Sequence, residues 1–284
     1  NVLLNTKYYY QILLINSTDT TSSPIDSLIT PAKDYYDTII INNAFLKAKY
    51  VNVGIAANGA LGTSNDAPND MHARNNNNSH IGFVADPDKD GWYTGVPDFI
   101  GDYFYPGSPE EGWGLTINYL NFNNNAYGPL TDMPGNITRS FDSAGYYYTD
   151  WEGTIDGISV IQRVKLPVDS LYIVFEVELK NNTDSTKRNI YYLRNVDPDN
   201  ERMLGSNFWT HNTIVYQNPD ADNIALVSAV GNDYGAYLGL CANDERAKVT
   251  RGGFSNRSPI NIWNGVGVKT SGTNYADSSI SVAF

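Results

Sequence analysis

Apolar and polar residues alternate with a period of two along much of this chain, and no stretch sustains a helical period. Residues 8–15 predict the first strand. Tyr8, Tyr10, Ile12 and Leu14 share one face, and Tyr9, Gln11, Leu13 and Ile15 the other. Both faces are largely apolar, so the strand calls for cover on both sides. Residues 17–31 are rich in Ser, Thr, Asp and Pro and predict a loop or linker. Strands are expected at 35–41 and 51–55, with a short helical turn at 44–49 between them.

Residues 58–80 are dense in Gly, Asn and Asp and predict a long surface loop. Order resumes at 81–84. Residues 86–114 mix Gly, Pro, Asp and aromatics, which predicts packed loops with little regular structure. A strand is expected at 115–120. The strand signal is clearest from Ile155 onward. Residues 158–164 alternate, and residues 171–179 form a long strand pattern that returns, after an Asn/Thr/Ser turn, at 189–194 as a hairpin. A second pair, 224–230 and 234–242, flanks Gly231-Asn232-Asp233. Residues 266–269 and 279–284 close the series. The fold class is all-β, a large antiparallel β-sandwich with long Gly/Asn/Asp-rich loops. Residues 1–50 read as an N-terminal strand segment and linker, and residues 51–284 as the sandwich domain. The last strand pattern runs to Phe284 without a polar tail. That fits a domain cut short at its C-terminus or one that docks its final strand at the very end.

Composition narrows the function. Hydrophobic residues make up 41% of 284, enough for a core. The net charge of −12 repels nucleic acid and attracts divalent cations. Cys241 is the single cysteine, so no intrachain disulfide can form. No apolar run reaches membrane-spanning length, so membrane insertion is not expected. Abundant Tyr, Asn, Ser and Thr suit an extracellular or cell-surface β protein.

Carboxylates carry the sharpest local chemistry. In Asp86-Pro87-Asp88-Lys89-Asp90-Gly91, alternating Asp86, Asp88 and Asp90 set three oxygens on one side of a tight loop, which suits calcium. The twelfth position is Pro97, so this is not an EF-hand. Asp197-Pro198-Asp199-Asn200-Glu201 echoes it, with Asp197, Asp199 and Glu201 as candidate ligands; the alternative is a turn whose carboxylates cap backbone amides. Trp92, Trp113 and Trp151 are candidates for a sugar-stacking platform, against core anchoring. Glu110, Glu111, Asp150 and Glu152 are the carboxylates a glycoside hydrolase would draw on, but nothing in their spacing sets two across a sugar. His72, His80 and His211 fit no zinc or nucleophile pattern. No catalytic residue is assigned.

Residues 57–63, 82–86 and 101–113, with Tyr191-Tyr192-Leu193-Arg194-Asn195-Val196-Asp197-Pro198-Asp199 and the closing Ser278 to Phe284, resemble a β-rich domain of large secreted bacterial cell-surface proteins of the adhesin and gliding type. The resemblance covers residues 51–284. It implies export and a place in a surface assembly, and it brings no established activity. Together these readings predict an extracellular structural or adhesive module, not an enzyme, stabilised by calcium. Its partners would be further copies or neighbouring domains, with Tyr8, Tyr10, Ile12 and Leu14 available for strand addition. A carbohydrate-binding module that takes glycans and a carboxylate-dependent glycoside hydrolase are the alternatives.

Overall fold

The computed structural model describes residues 7–11, 13–15, 20–29, 35–71, 80–86, 101–104, 111–126, 130–217, 224–254 and 256–284. The chain divides into two compact units, Asn1–Tyr36 and Asp37–Phe284.

In the first unit, β1 (Lys7–Tyr10) pairs antiparallel with β4 (Asp26–Ile29), and β2 (Leu13–Ile15) with β3 (Thr20–Ser22). The stretch expected as one strand is therefore two, and the stretch expected as a linker supplies both partners. Tyr9, Leu13 and Ile15 are exposed.

The larger unit is all-β and antiparallel, as the alternation predicts, and its four main sheets take a propeller-like arrangement. The first sheet is a meander of β5 (Tyr36–Ile40), β6 (Asn43–Lys47), β7 (Val51–Ile55), β8 (Phe83–Ala85) and β9 (Gly101–Asp102). Residues expected as a helical turn form β6 instead. Phe45 and Leu46 are fully buried and the strand pairs with β7, so tertiary packing overrides local propensity.

The second sheet has the order β11-β10-β16-β22-β20. Its members are β10 (Glu111–Ile117), β11 (Leu120–Asn125), β16 (Tyr191–Val196), β20 (Lys248–Arg251) and β22 (Ile280–Ala283). A short helix, α1 (Pro259–Trp263), packs on it with Ser258 as N-cap. The third sheet is the meander β12 (Gly135–Ser143), β13 (Tyr146–Ile155), β14 (Ile158–Pro167) and β15 (Val174–Asn181). The fourth runs β19-β18-β17-β21, from β17 (Thr210–Tyr216), β18 (Ala225–Gly231), β19 (Tyr237–Ala242) and β21 (Thr273–Ala276).

Tight turns fix the registers. Ile155 pairs with Ile158 across Asp156-Gly157, whose φ values of 48° and 76° make the two-residue turn that follows strand twist. Gly157 occupies the left-handed region without a Cβ penalty. The expected 171–179/189–194 hairpin does not form. β15 pairs with β14, and β16 pairs with β10 and β22 in another sheet. Alternation marks a strand's faces and leaves its neighbours open. Residues 266–269, expected as a strand, form turns with one isolated bridge, Arg251 to Lys269.

Candidate functional site

The four main sheets share one cavity of about 1490 Å³. The first sheet contributes Val51, Phe83 and Ala85, with Tyr103 and Phe104 just beyond β9. The second contributes Tyr192, Val196, Val282 and Phe284. β15 turns Phe175, Val177 and Leu179 inward, while Glu176, Glu178 and Lys180 alternate on its outer face. β19 contributes Leu238, Leu240 and Ala242, with Cys241 also on the lining. Most of the wall is thus aliphatic or aromatic.

Two walls end in unpaired ladders. Among the described residues, β15 bonds only to β14, and β19 only to β18. Their other edges have backbone groups without a strand partner, beside an apolar space. Leu171, Tyr172 and Val174 before and within β15, and Tyr237 on β19, are exposed at this cavity. Such an edge is a template for strand pairing.

One polar network stands in the wall. The Glu111 carboxylate on β10 accepts a hydrogen bond from Arg194 Nε on β16 at 2.8 Å and one from the Leu61 amide. Arg194 Nη2 lies 2.7 Å from the same carboxylate oxygen as an ion-pair contact, without hydrogen-bond geometry. Arg194 Nη1 and the Tyr192 hydroxyl both donate to Gln162 Oε1, at 3.2 and 2.8 Å. The Arg194 guanidinium sits 3.6 Å from the centre of the Phe175 ring, which ties the second sheet to the β15 wall. Burial raises the Tyr192 pKa, with Arg194 acting against it. The network neutralises its own charges, so Glu111 is a framework residue.

The candidate tryptophans divide. Trp113 and Trp151 are fully buried, with ring centres 5.0 Å apart in an edge-to-face pair. Trp113 Nε1 donates to the Asn58 carbonyl at 3.0 Å and Trp151 Nε1 to the Ala57 carbonyl at 2.9 Å. Both rings serve the core, and neither offers a face to a sugar. Asn58 Nδ2 in turn donates to the Asn125 and Leu130 carbonyls. The loop expected on the surface is therefore buried at Asn58, Ala60, Leu61 and Thr63, because it closes three sheets together. Trp92 lies outside the described residues.

The candidate calcium ligands also divide. Asp88 and Asp90 lie outside the described residues. Asp86 is buried, at a φ of 53°, and its amide donates to the Tyr50 carbonyl at 3.1 Å. The Glu201 carboxylate accepts from the amides of Asp233, Tyr234 and Ala236 at 2.8, 2.9 and 3.0 Å. Those bonds make Glu201 the clamp of the β18–β19 turn. Asp197 is half-buried. Asp199 is buried, and its Oδ1 finds no hydrogen-bond partner. Burial, with Asp277 nearby, pushes its pKa up to about 8 against a smaller opposing pull from Arg202. Among the described residues no three His, Cys, Asp or Glu side chains converge as a metal set.

Each described hydrolase candidate has its own hydrogen-bond partners. Glu110 lies outside the described residues. Asp150 accepts from Arg163 Nε and Arg139 Nε at 2.7 and 2.6 Å. Burial raises its pKa, and the two arginines outweigh that and hold it below the usual value. Glu152 accepts from the Thr138 hydroxyl at 2.9 Å. Of the assembly candidates, Tyr8 is half-buried and Tyr10 exposed. Ile12 lies outside the described residues, and Leu14 is in β2.

Sequence reasoning missed the cavity. Its signal was available in β15, where Phe175, Val177 and Leu179 alternate with Glu176, Glu178 and Lys180, one apolar face on a strand with charges behind it. Among the described residues, no helix is long and apolar enough to cross a membrane. No protein-family model matches the chain, and no curated protein matches it.

Proposed function

We propose that this chain is a structural module of an extracellular assembly that holds an extended apolar strand in its central cavity. The observation that carries the reading is the conjunction of an apolar cavity of about 1490 Å³ with two strand edges in its wall, on β15 and β19, that are unpaired among the described residues. The volume exceeds the roughly 300–1,000 Å³ usual for small-molecule pockets and suits a length of polypeptide. Backbone ladders supply affinity in strand addition, and side-chain pockets on alternate residues supply specificity. The acidic, Asn- and Thr-rich composition and the resemblance of residues 51–284 to secreted bacterial surface domains support an extracellular setting.

The glycan-binding alternative loses its platform, since Trp113 and Trp151 are buried. For the hydrolase alternative, Glu111 and Asp150 are each held by arginine, which speaks against either as a general acid. Calcium stabilisation keeps Asp86, Asp197, Asp199 and Glu201 as its described donors. A melting temperature that falls on chelation supports it.

Cys241 gives the test. It is exposed and lines the cavity, and it is the single thiol. A short peptide of alternating valine and threonine slows alkylation of Cys241 under this reading, and a soluble oligosaccharide does not. Unchanged alkylation at saturating peptide overturns it.

A further inference from the structure

The occupant of the cavity is also legible. We infer that it is the segment carrying β1 and β2 of a second copy of this chain, laid along the free edge of β15. This rests on the strand-binding reading above and adds the identity of the strand.

The first argument is chemical pattern. A strand added to the edge of β15 continues its inner face, where Phe175, Val177 and Leu179 line the cavity. The segment from Tyr8 to Ile15 is apolar on both of its faces, with Gln11 its one polar side chain besides the tyrosine hydroxyls. In its own unit that surface is uncovered: Tyr9 is 69% exposed, Leu13 56% and Ile15 71%.

The second argument is charge. The chain carries −12, so two copies repel wherever ordinary surface meets ordinary surface. From Asn1 to Ser17 the only charged residue is Lys7. This segment brings no carboxylate to the contact, and its one cation approaches a body of opposite sign.

The third argument is the weakness of what it leaves behind. β1 and β2 sit in two-stranded ribbons of four and three residues. Isolated two-stranded ribbons are marginal in water. Exchanging them for a ladder on β15, eight residues long, adds backbone pairs and buries one face of the segment beside Phe175, Val177 and Leu179.

The test uses the full chain and its single native thiol. Tyr9→Cys, Leu13→Cys and Ile15→Cys each add one cysteine at a position exposed in the separate copy. Under mild oxidation, at least one of the three variants forms a disulfide to Cys241 of another copy, identified by mass spectrometry of mixed heavy- and light-isotope protein. Its yield rises with concentration. Leu13→Asp combined with Ile15→Asp weakens self-association by about tenfold or more in sedimentation, as expected for charge placed in an apolar cleft. Absence of inter-copy linkage at all three positions overturns the inference. If the valine–threonine peptide still protects Cys241 in those variants, the cavity binds strands and this occupant is wrong. If it does not, the strand-binding reading falls as well.

Discussion

The Glu201 carboxyl carbon lies 2.0 Å from where a Cβ on Gly231 would stand. The hairpin turn between β18 and β19 is thus wrapped around a buried carboxylate, which accepts three of its amides. This contact positions β19, and β19 is one wall of the cavity.

Glu201→Ala strands those three amides and lowers stability by about 3 kcal/mol or more, since each charge-assisted bond contributes roughly 1.5–3 kcal/mol. Gly231→Ala produces a comparable loss by collision alone. Both are measured by urea unfolding. Chelator has no influence on either difference if Glu201 works as a clamp. A chelator effect of the same size as Glu201→Ala would count it among the metal ligands.

Asp199 makes stability depend on pH in the direction opposite to an ordinary ion-paired carboxylate. Its folded pKa of about 8 lies above the unfolded value of about 3.9. Between those values the folded state binds more protons than the unfolded state, so stability falls as pH rises from about 4 to about 8. The fall is on the order of a few kcal/mol. Asp199→Asn flattens that part of the profile and stabilises the protein at pH 8. Calcium held by the Asp199 carboxylate reverses the outcome: Asp199→Asn then destabilises at pH 8, and chelator removes the difference. Thermal melts across this range, with and without chelator, decide between the two.

The buried Glu111–Arg194 pair predicts strong non-additivity. Arg194→Met leaves a buried carboxylate uncompensated and costs about 3–5 kcal/mol. Adding Glu111→Gln restores most of it, because glutamine still accepts from the Leu61 amide and carries no charge. A double-mutant cycle by chemical denaturation measures the coupling. Additive losses would show that the two side chains do not share one network.

The all-β class was legible because a period of two survives in β14, β15, β18 and β19 whatever packs beside them. Partners were not, because register and neighbour are set by turns and by the core. Asp156-Gly157 is a strong hairpin signal, and it marks the β13–β14 turn at the point where the pattern first became clear. β12 and β13 were missed since Tyr146-Tyr147-Tyr148 and Ile137-Thr138-Arg139 hide their alternation among tyrosines and a register shift after Ile137. The Asp-Pro-Asp motif at 197–199 was visible as chemistry, but Glu201's role depends on amides more than thirty positions away. The cavity depends on four sheets at once, and no local pattern encodes that.

Filling the cavity separates strand uptake from general stability. Val177 on β15 and Leu240 on β19 are half-buried and both line the cavity. Leu240→Phe enlarges a side chain into open space, so the isolated protein gains about 0.5–2 kcal/mol, the usual return on cavity filling. Val177→Phe acts in the same way from β15. The combined variant narrows the cavity beside β15 and β19, so the valine–threonine peptide protects Cys241 less, although the melting temperature has risen. A cavity already collapsed in solution gives the opposite sign, because added volume then overpacks the core and costs about 1–3 kcal/mol. A higher melting temperature with weakened protection is the combination that an open strand-binding cavity produces, and a lower one removes the cavity from the explanation.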